Sequence, residues 1–486
     1  MTATSAPPQT TDEKLPPGTR LVIGLLVVSA FVVILNETIM SVALPRLTED
    51  LGITLATAQW LTTGFLLTMA VVIPTTGFLL QRFPMRAVFI TAMSLFSLGT
   101  LIAATALEFP QLLAGRIVQA SGTAIMMPLL ITTVLNVVPP ARRGQTMGTI
   151  SIVIAVAPAI GPTVSGLILS VLEWRWMFWL VLPIALAALV IGAIKVQNLT
   201  TPRKSRLDVL SLLLSTLGFG GLIFGLASIG ESSSGHTPVP IWIPLVVGAV
   251  SLALFVWRQL MLQRTDSAFM DLRTFRSRTF SLSVVMIVIS FTALFGSLVL
   301  LPVYLQQVLA LDTLTVGLML LPGGIVMGIL SPIVGRLFDR VGPRPLVIPG
   351  TIIVSAALWS LTTLGETTPI ALIIGIHCLL NIGLGFTFTP LMTSGLGSLP
   401  RTLYSHGSAT LSTLQQLAGA AGTAVFVTLM TTGAAAGVAD GLSQVSATAA
   451  GVQTAFFVGA IISLFSVAAS FFVRRPVNAV PAGAVH

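Results

Sequence analysis

Long apolar stretches, separated by short polar segments, recur along the chain from residue 21 to residue 473. A helix needs about 20 apolar residues to cross the hydrocarbon core of a bilayer. With that window the pattern predicts fourteen spans, at residues 21–44, 57–80, 87–107, 111–135, 146–170, 176–194, 208–229, 240–261, 280–305, 314–335, 345–364, 369–393, 407–431 and 453–473. Because backbone groups in lipid must form hydrogen bonds within their own segment, we expect an all-α membrane protein.

The composition excludes several classes of soluble protein. Of 486 residues, 55% are hydrophobic and only 8% are charged, whereas soluble domains carry about 25% charged residues. This excludes a soluble enzyme, a disordered chain and a DNA-binding protein. The single cysteine, Cys378, excludes an internal disulfide and a multi-cysteine metal site, so we expect no metal centre.

Basic residues divide between the two sides of the predicted membrane. If the N-terminus is cytoplasmic and the spans alternate, 21 of the 24 Lys and Arg residues fall in cytoplasmic segments. Arg46 and Arg175 fall outside, and Arg116 lies within a span. This asymmetry follows the positive-inside rule and predicts that both termini are cytoplasmic. The net charge of +9 is therefore a topology signal, and we expect no nucleic-acid partner.

Two predicted cytoplasmic loops repeat each other. PTTGFLLQRFPMR, at residues 74–86, and PIVGRLFDRVGPR, at residues 332–344, share five identities in thirteen positions at an offset of 258 residues. Each follows an even-numbered span, so the copies have the same orientation and predict two parallel halves.

Six spans in each half leave two spans between the halves. The predicted 6 + 2 + 6 organisation has a disordered tail at 1–19, a six-helix bundle at 20–200, two linker helices at 201–265, a second six-helix bundle at 266–475 and a tail at 476–486.

Further motifs support a family resemblance. They are LNETIMSVALP at 35–45, RIVQASGTA at 116–124, APAIGPTVSG at 157–166 and WRWMFWLVLP at 174–183. With the two loops, the chain resembles the major facilitator superfamily, and within it the fourteen-helix drug–proton antiporters of the QacA/EmrB type. The runs at 58–68 and 119–130 most resemble the lincomycin-resistance branch.

The resemblance implies which residues form gates. It assigns the two repeated loops to the inward gate, with candidates Gly77, Arg82, Arg86, Gly335, Asp339, Arg340 and Arg344. The first loop has Gln81 where the superfamily usually has Asp, which puts the gate contact of the first half in doubt. Gly161 and Pro162 are expected to bend the fifth helix. The resemblance connects them with exporters and with an interface to the C-terminal half.

Glu37 is the one acid that lies well inside a predicted span. Burying a carboxylate in a membrane costs on the order of 3 kcal/mol, and desolvation makes its protonated form accessible near neutral pH. We hypothesise that Glu37 carries the proton and contacts a cationic solute, so that solute and proton exclude one another. The alternative is a structural Glu held by Asn36 or Thr38.

Arg116 is the one basic residue inside a span. Because arginine stays charged, it needs a partner or a hydrated cavity. The resemblance assigns it a role in proton transfer, and we expect its charge to act on Glu37 directly or through Gln119 and water. Helix-to-helix packing is the alternative role.

Several polar or flexible side chains are candidates for a substrate cavity. These are Asn36, Gln119, Met127, Tyr304, Gln306 and Gln415, with core packing as the alternative for Met127 and Tyr304 and helix packing as the alternative for Gln306 and Gln415. His377 is interpreted as a hydrogen-bonding core residue, since a lone membrane histidine usually has that role.

No nucleotide-binding loop is present, so we expect an ion gradient to supply the energy and no cofactor besides it. The first hypothesis is a monomeric, proton-coupled exporter of amphipathic drugs, in the cytoplasmic membrane of a bacterium. Export of an endogenous lipid or metabolite stays open. Uptake of a nutrient by symport is less favoured, and a membrane-embedded enzyme is disfavoured because no catalytic cluster of His, Asp and Cys occurs.

Overall fold

The structure is a computed structural model that describes residues 19–198, 208–231, 240–265 and 267–474. The predicted tails at 1–19 and 476–486 therefore lie outside the described residues, except for Thr19, which begins the first helix.

The described residues form fourteen long helices and no strand. Each is long and apolar enough to cross a membrane, which confirms the predicted all-α membrane fold. The helices are α1 (Thr19–Leu51), α2 (Leu55–Arg82), α3 (Met85–Ala104), α4 (Phe109–Val137), α5 (Arg143–Val171), α6 (Trp176–Lys195), α7 (Val209–Glu231), α8 (Trp242–Leu262), α9 (Arg278–Gln307), α10 (Thr313–Val341), α11 (Arg344–Leu361), α12 (Ile370–Gly397), α13 (Tyr404–Ala439) and α14 (Gln444–Ser470).

Several helices extend beyond the spans predicted from hydropathy. α1 continues to Leu51 and α13 to Ala439, several residues past the predicted ends at 44 and 431. Polar residues can continue a helix outside the hydrocarbon core, where a hydropathy window no longer detects it.

The helices pack as two six-helix groups with a separate pair beside them. α1 to α6 contact one another, and so do α9 to α14. α7 packs against α2 of the first group and α13 of the second, while α8 packs mainly on α7. The predicted linker helices therefore lie at the side of the two bundles.

A polar cluster fixes the base of the α7–α8 pair. Arg258 donates two hydrogen bonds to Asp208, at 2.7 and 2.8 Å, and these bonds hold the pKa of Asp208 down at about 2. Gln259 donates to Ser211 at 2.7 Å and accepts from the backbone N–H of Met270 at 3.0 Å. The cluster joins the start of α7, the end of α8 and the segment that precedes α9.

The two halves meet along α5 and α10 and along α2 and α13. At the first of these contacts, Gly335 lies against the backbone of Gly144, and Gly148 lies against the backbone of Ser331. A Cβ atom at Gly144, Gly148 or Gly335 would overlap the opposite helix, so these glycines permit the close approach. We call the membrane side on which α1 begins the N-terminal face, and these contacts lie toward that face.

Candidate functional site: a central cavity and a buried arginine network

A cavity of about 590 Å³ lies between the two halves. Its size falls within the range of about 300–1,000 Å³ that is typical of small-molecule sites. The first half contributes residues of α1, α2, α4 and α5, and the second half contributes residues of α9, α10, α12 and α13. Most of the wall is apolar, and includes Ile34, Met69, Met127, Ile154, Phe291, Phe295 and Leu298.

Glu37 is the one acidic residue among the described residues that line the cavity. It lies on α1, and the neighbouring Thr38 packs against Gly161 of α5. A Cβ atom at residue 161 would overlap the Thr38 side chain, so glycine is required for this contact. The close packing of α1 on α5 thus sets the rotation at which Glu37 reaches the cavity.

Arg116 lies in a buried polar network next to this site, with its side chain fully inaccessible to solvent. It donates hydrogen bonds to Asn36 Oδ1 at 3.0 Å and to Gln119 Oε1 at 2.7 Å. Gln119 in turn donates to Thr100 Oγ1 at 2.8 Å. The guanidinium carbon lies 4.0 Å from the centre of the Phe65 ring, a cation–π contact that helps to accommodate the buried charge.

Glu37 and Arg116 do not form a salt bridge with each other. The link between them is Asn36, which precedes Glu37 on α1 and accepts a hydrogen bond from Arg116. The Glu37 carboxylate therefore lines the cavity, whereas the Arg116 guanidinium is buried next to the cavity, among polar side chains of the neighbouring helices.

The structure places the six predicted cavity residues in two different environments. Met127, Gln306 and Gln415 line the cavity. Asn36 and Gln119 do not line it, because their hydrogen bonds to Arg116 hold them between helices. Tyr304 is buried elsewhere, with its hydroxyl donating to the carbonyl of Gly365 at 2.6 Å. The structure thus places Asn36, Gln119 and Tyr304 in contacts between helices, and not in the predicted cavity wall.

The polar lining is larger than the six candidates. The sequence offers Asn381 and Gln416 as polar residues that face either the cavity or a neighbouring helix, and gives no indication for Ser412, Thr38 and Thr123. His377, Asn381, Ser412, Gln416, Thr38 and Thr123 also line the cavity. His377 has a hydrogen-bonding role, as predicted, but it lies in the cavity wall and not in a closed core. The available signal for Asn381 and Gln416 was the clustering of polar side chains on α12 and α13.

Gly161 and its neighbours on α5 make different contacts. The resemblance implied that the Gly161–Pro162 motif meets the C-terminal half. Gly161 instead packs on Thr38 of α1, within the first half, and Pro162 lines the cavity. Neighbouring residues of the same motif do meet the second half, since Ala159 lies against Gly324 and Thr163 against Gly317, both on α10. Nearer the N-terminal face, Gly144 and Gly148 make the close approach.

The two repeated loops make unequal contacts at the N-terminal face. Asp339, at the end of α10, accepts hydrogen bonds from the backbone N–H groups of Gly144 and Gln145, at 2.8 and 2.9 Å. These donors form the first turn of α5, where a carboxylate is favoured by the free N–H groups and the helix dipole. The equivalent Gln81 donates one longer bond, 3.4 Å, to the carbonyl of Thr402. The charged contact therefore belongs to the second copy.

The other gate candidates have two kinds of surroundings. Gly77 lies against His406 of α13, and Gly335 lies against Gly144 of α5. The four loop arginines are exposed at the N-terminal face, namely Arg82, Arg86, Arg340 and Arg344.

Additional side-chain contacts join the halves toward the same face. Arg143 donates to the hydroxyl of Tyr404 at 3.1 Å, and Thr132 forms a hydrogen bond of 2.7 Å with Ser408. The cavity, in contrast, extends to Gln306, which is exposed near the end of α9 at the opposite face. The hydrogen bonds that join the halves thus lie toward the N-terminal face, and the cavity extends toward the opposite face.

Two parallel six-helix halves around a central cavity are the architecture of a class of membrane transporters. The chain belongs to the Major Facilitator Superfamily, whose sequence profile matches residues 26–197 and 192–423. It is a multi-pass membrane protein.

Known relatives narrow this assignment. Lincomycin resistance protein LmrB of Listeria monocytogenes is 44% identical over 459 residues, which cover 93% of this chain and 96% of the relative. Multidrug export protein EmrB of Haemophilus influenzae is 29% identical over 423 residues, which cover 85% and 81%. The human organic anion transporter MFSD10 has a similar structure, with a TM-score of 0.67 at 16% identity over 94% of this chain and 100% of that one. The similarity to LmrB and EmrB places this chain among relatives of drug-resistance and efflux transporters.

Proposed function

We propose that this protein is a proton-coupled antiporter that exports amphipathic drugs, lincosamides among them, across the cytoplasmic membrane of a bacterium. The names of the two curated relatives support the substrate class. In this proposal the N-terminal face is cytoplasmic, the protein acts as a monomer, and the proton gradient takes the place of any cofactor. The distribution of basic residues supports the orientation.

One observation carries the coupling proposal: Glu37 is the single acid in the described wall of the cavity. A bound cation favours the ionised carboxylate, and a proton neutralises the carboxylate. Cation and proton therefore compete for one group. In the state open to the outside, a proton from the medium displaces the drug. In the state open to the cytoplasm, the drug displaces the proton.

The contacts between the halves support alternating access. In this proposal the present arrangement is the outward-open state, in which the contacts of Asp339 with α5 and of Arg143 with Tyr404 close the cytoplasmic face. Opening that face requires these contacts to break while the halves close at the outer face.

Because the proposed carrier is a single carboxylate, one proton is exchanged for each drug molecule, and this ratio determines the driving force. Exchange of one proton for a monovalent cation moves no net charge, so the pH difference drives it, at about 1.36 kcal/mol per pH unit. Exchange of one proton for a neutral drug also uses the membrane potential, at about 2.3 kcal/mol per 100 mV.

Drug-triggered proton release tests the proposal. Purified protein in detergent is placed in a weakly buffered solution with a pH indicator, and lincomycin or a cationic dye is added. We expect about one proton to be released for each drug molecule bound. If a drug binds with no proton release across the pH range in which Glu37 titrates, drug and proton do not compete and the coupling proposal is wrong.

Replacing Asp339 with alanine is expected to loosen the cytoplasmic gate. The two N–H groups of Gly144 and Gln145 lose their charged acceptor, and hydrogen bonds to charged groups contribute about 1.5–3 kcal/mol each. Hydrogen–deuterium exchange of the peptide that contains residues 143–148 should therefore become at least about tenfold faster.

Gln81→Ala is the matched control for this gate variant, since residue 81 is the equivalent position of the first repeat and forms one weaker bond. It should leave the exchange of residues 143–148 close to that of the unmodified protein. An equal acceleration in both variants would show that Asp339 has no special role in closing the gate.

A further inference from the structure

The cavity wall of the second half carries polar groups that lack protein partners. Gln415 and Ser412 lie one turn apart on α13, and their side chains are only 8% and 5% exposed. Neither Gln415 Nε2 nor Ser412 Oγ has a hydrogen-bond partner among the described residues. Both residues line the cavity. A buried polar atom without a partner destabilises the fold by about 1–3 kcal/mol. When such an atom belongs to a residue that lines a cavity, a polar group of a ligand is a suitable hydrogen-bond partner for it.

Asn381 supplies a third polar group on the neighbouring helix α12. Its Nδ2 atom donates to the carbonyl of His377 at 2.9 Å and faces His377 Nε2 at 3.2 Å. Gly323 of α10 packs against both side chains, and a Cβ atom at residue 323 would overlap them. The amide is thereby held in one orientation.

The fixed amide determines what Asn381 presents to a ligand. Both contacts use the nitrogen, and no hydrogen bond from the described residues reaches Asn381 Oδ1, which is left as an acceptor. Gln415 Nε2 is a donor, and Ser412 Oγ can be either. Together the second half offers donors and acceptors and, among the described lining residues, no acid.

The acidic group and these uncharged polar groups therefore lie on different halves of the cavity wall. Glu37 belongs to the first half, and Asn381, Ser412 and Gln415 belong to the second. A cavity of about 590 Å³ can hold one amphipathic molecule that contacts both walls.

We propose that Asn381, Ser412 and Gln415 form a second recognition site, which binds hydroxyl or amide groups of the transported molecule while Glu37 binds its cationic group. The site, called the neutral-polar wall, selects hydroxylated or amide-bearing monocations over cations that lack hydrogen-bonding groups. This inference rests on the proposed drug-transport function, because it assumes that the cavity is the binding site.

Two probes of equal charge separate the two walls. Lincomycin is a monocation with several hydroxyls and an amide, and tetraphenylphosphonium is a monocation with no hydrogen-bonding group. Binding of each to the purified full-length protein is measured as a Kd. Gln415→Leu and Asn381→Leu should each weaken lincomycin binding by about tenfold, the equivalent of one or two hydrogen bonds. Both should leave tetraphenylphosphonium binding within about twofold.

Two further variants control for altered packing. Ser412→Ala removes one oxygen with little change of shape and should produce the same selectivity with a smaller loss. Gln307→Leu makes the same chemical change as Gln415→Leu at an exposed residue that does not line the cavity, and should affect neither probe.

The possible results distinguish this inference from the proposed function. Loss confined to lincomycin supports the neutral-polar wall. An equal loss of both probes in the Leu variants and in Ser412→Ala, or no loss of either, overturns it while leaving the transporter proposal in place. If the unmodified protein binds neither probe, the proposed drug-transport function itself is wrong.

Discussion

Glu37→Gln is expected to abolish coupling between drug and proton movement. Glutamine is close to glutamic acid in shape and resembles its protonated form, but it does not ionise. In liposomes with an imposed difference of one pH unit, the unmodified protein should concentrate a monovalent cationic drug about tenfold. The variant should not concentrate the drug across the liposome membrane, and it should release no proton when a drug is added.

Binding measurements separate loss of coupling from loss of the cavity. Neutral, hydroxylated drugs should still bind to Glu37→Gln, and their Kd should no longer depend on pH. Glu108→Gln is the matched control, because Glu108 is exposed at the start of α4 and does not line the cavity. Full pH-driven accumulation by Glu37→Gln would show that another group carries the proton.

The fold was predictable because each of its determinants is local and repeated. Every span carries its own apolar signal, and the two loops at 74–86 and 332–344 carry the duplication. The position of Glu37 in the cavity wall was predictable for a related reason. An acidic residue within a membrane span almost always faces the bundle interior or a hydrated cavity, whichever helix carries it.

The surroundings of individual polar residues were less predictable. Asn36 and Gln119 have the residue types of a cavity wall, yet they form hydrogen bonds to Arg116 between helices. Gln415 has a similar side chain and faces the cavity. The difference depends on the rotation of each helix against its neighbours, which is set by long-range contacts such as that of Thr38 with Gly161.

The asymmetric gate had a partial sequence signal. Gln81 replaces the usual acid in the first loop, and this departure correctly raised doubt about a charged contact there. The sequence could not indicate that Asp339 contacts the first turn of α5, because residues 144 and 339 are far apart in the chain.

Arg116→Gln is expected to change the pH dependence of drug binding. Arg116 is fully buried next to the cavity wall, and a positive charge near a carboxylate favours the ionised form of that carboxylate. Without that charge, Glu37 retains its proton to a higher pH, so a cationic drug should need a more alkaline solution to displace it. We expect the midpoint of drug binding against pH to rise by about one unit.

Arg116→Lys separates the charge from the packing role. Lysine keeps the positive charge but lacks the planar fork that bonds Asn36 and stacks on Phe65. If the charge acts on Glu37, the lysine variant should keep the midpoint of the unmodified protein even when it is less stable to heat.

A packing role alone predicts a different pair of results. Both variants would then lower the amount of folded protein, with no change in the midpoint of drug binding against pH. Because thermal unfolding reports the packing and the midpoint reports the charge, the two measurements together decide whether Arg116 belongs to the coupling site or only to the contact between α1 and α4.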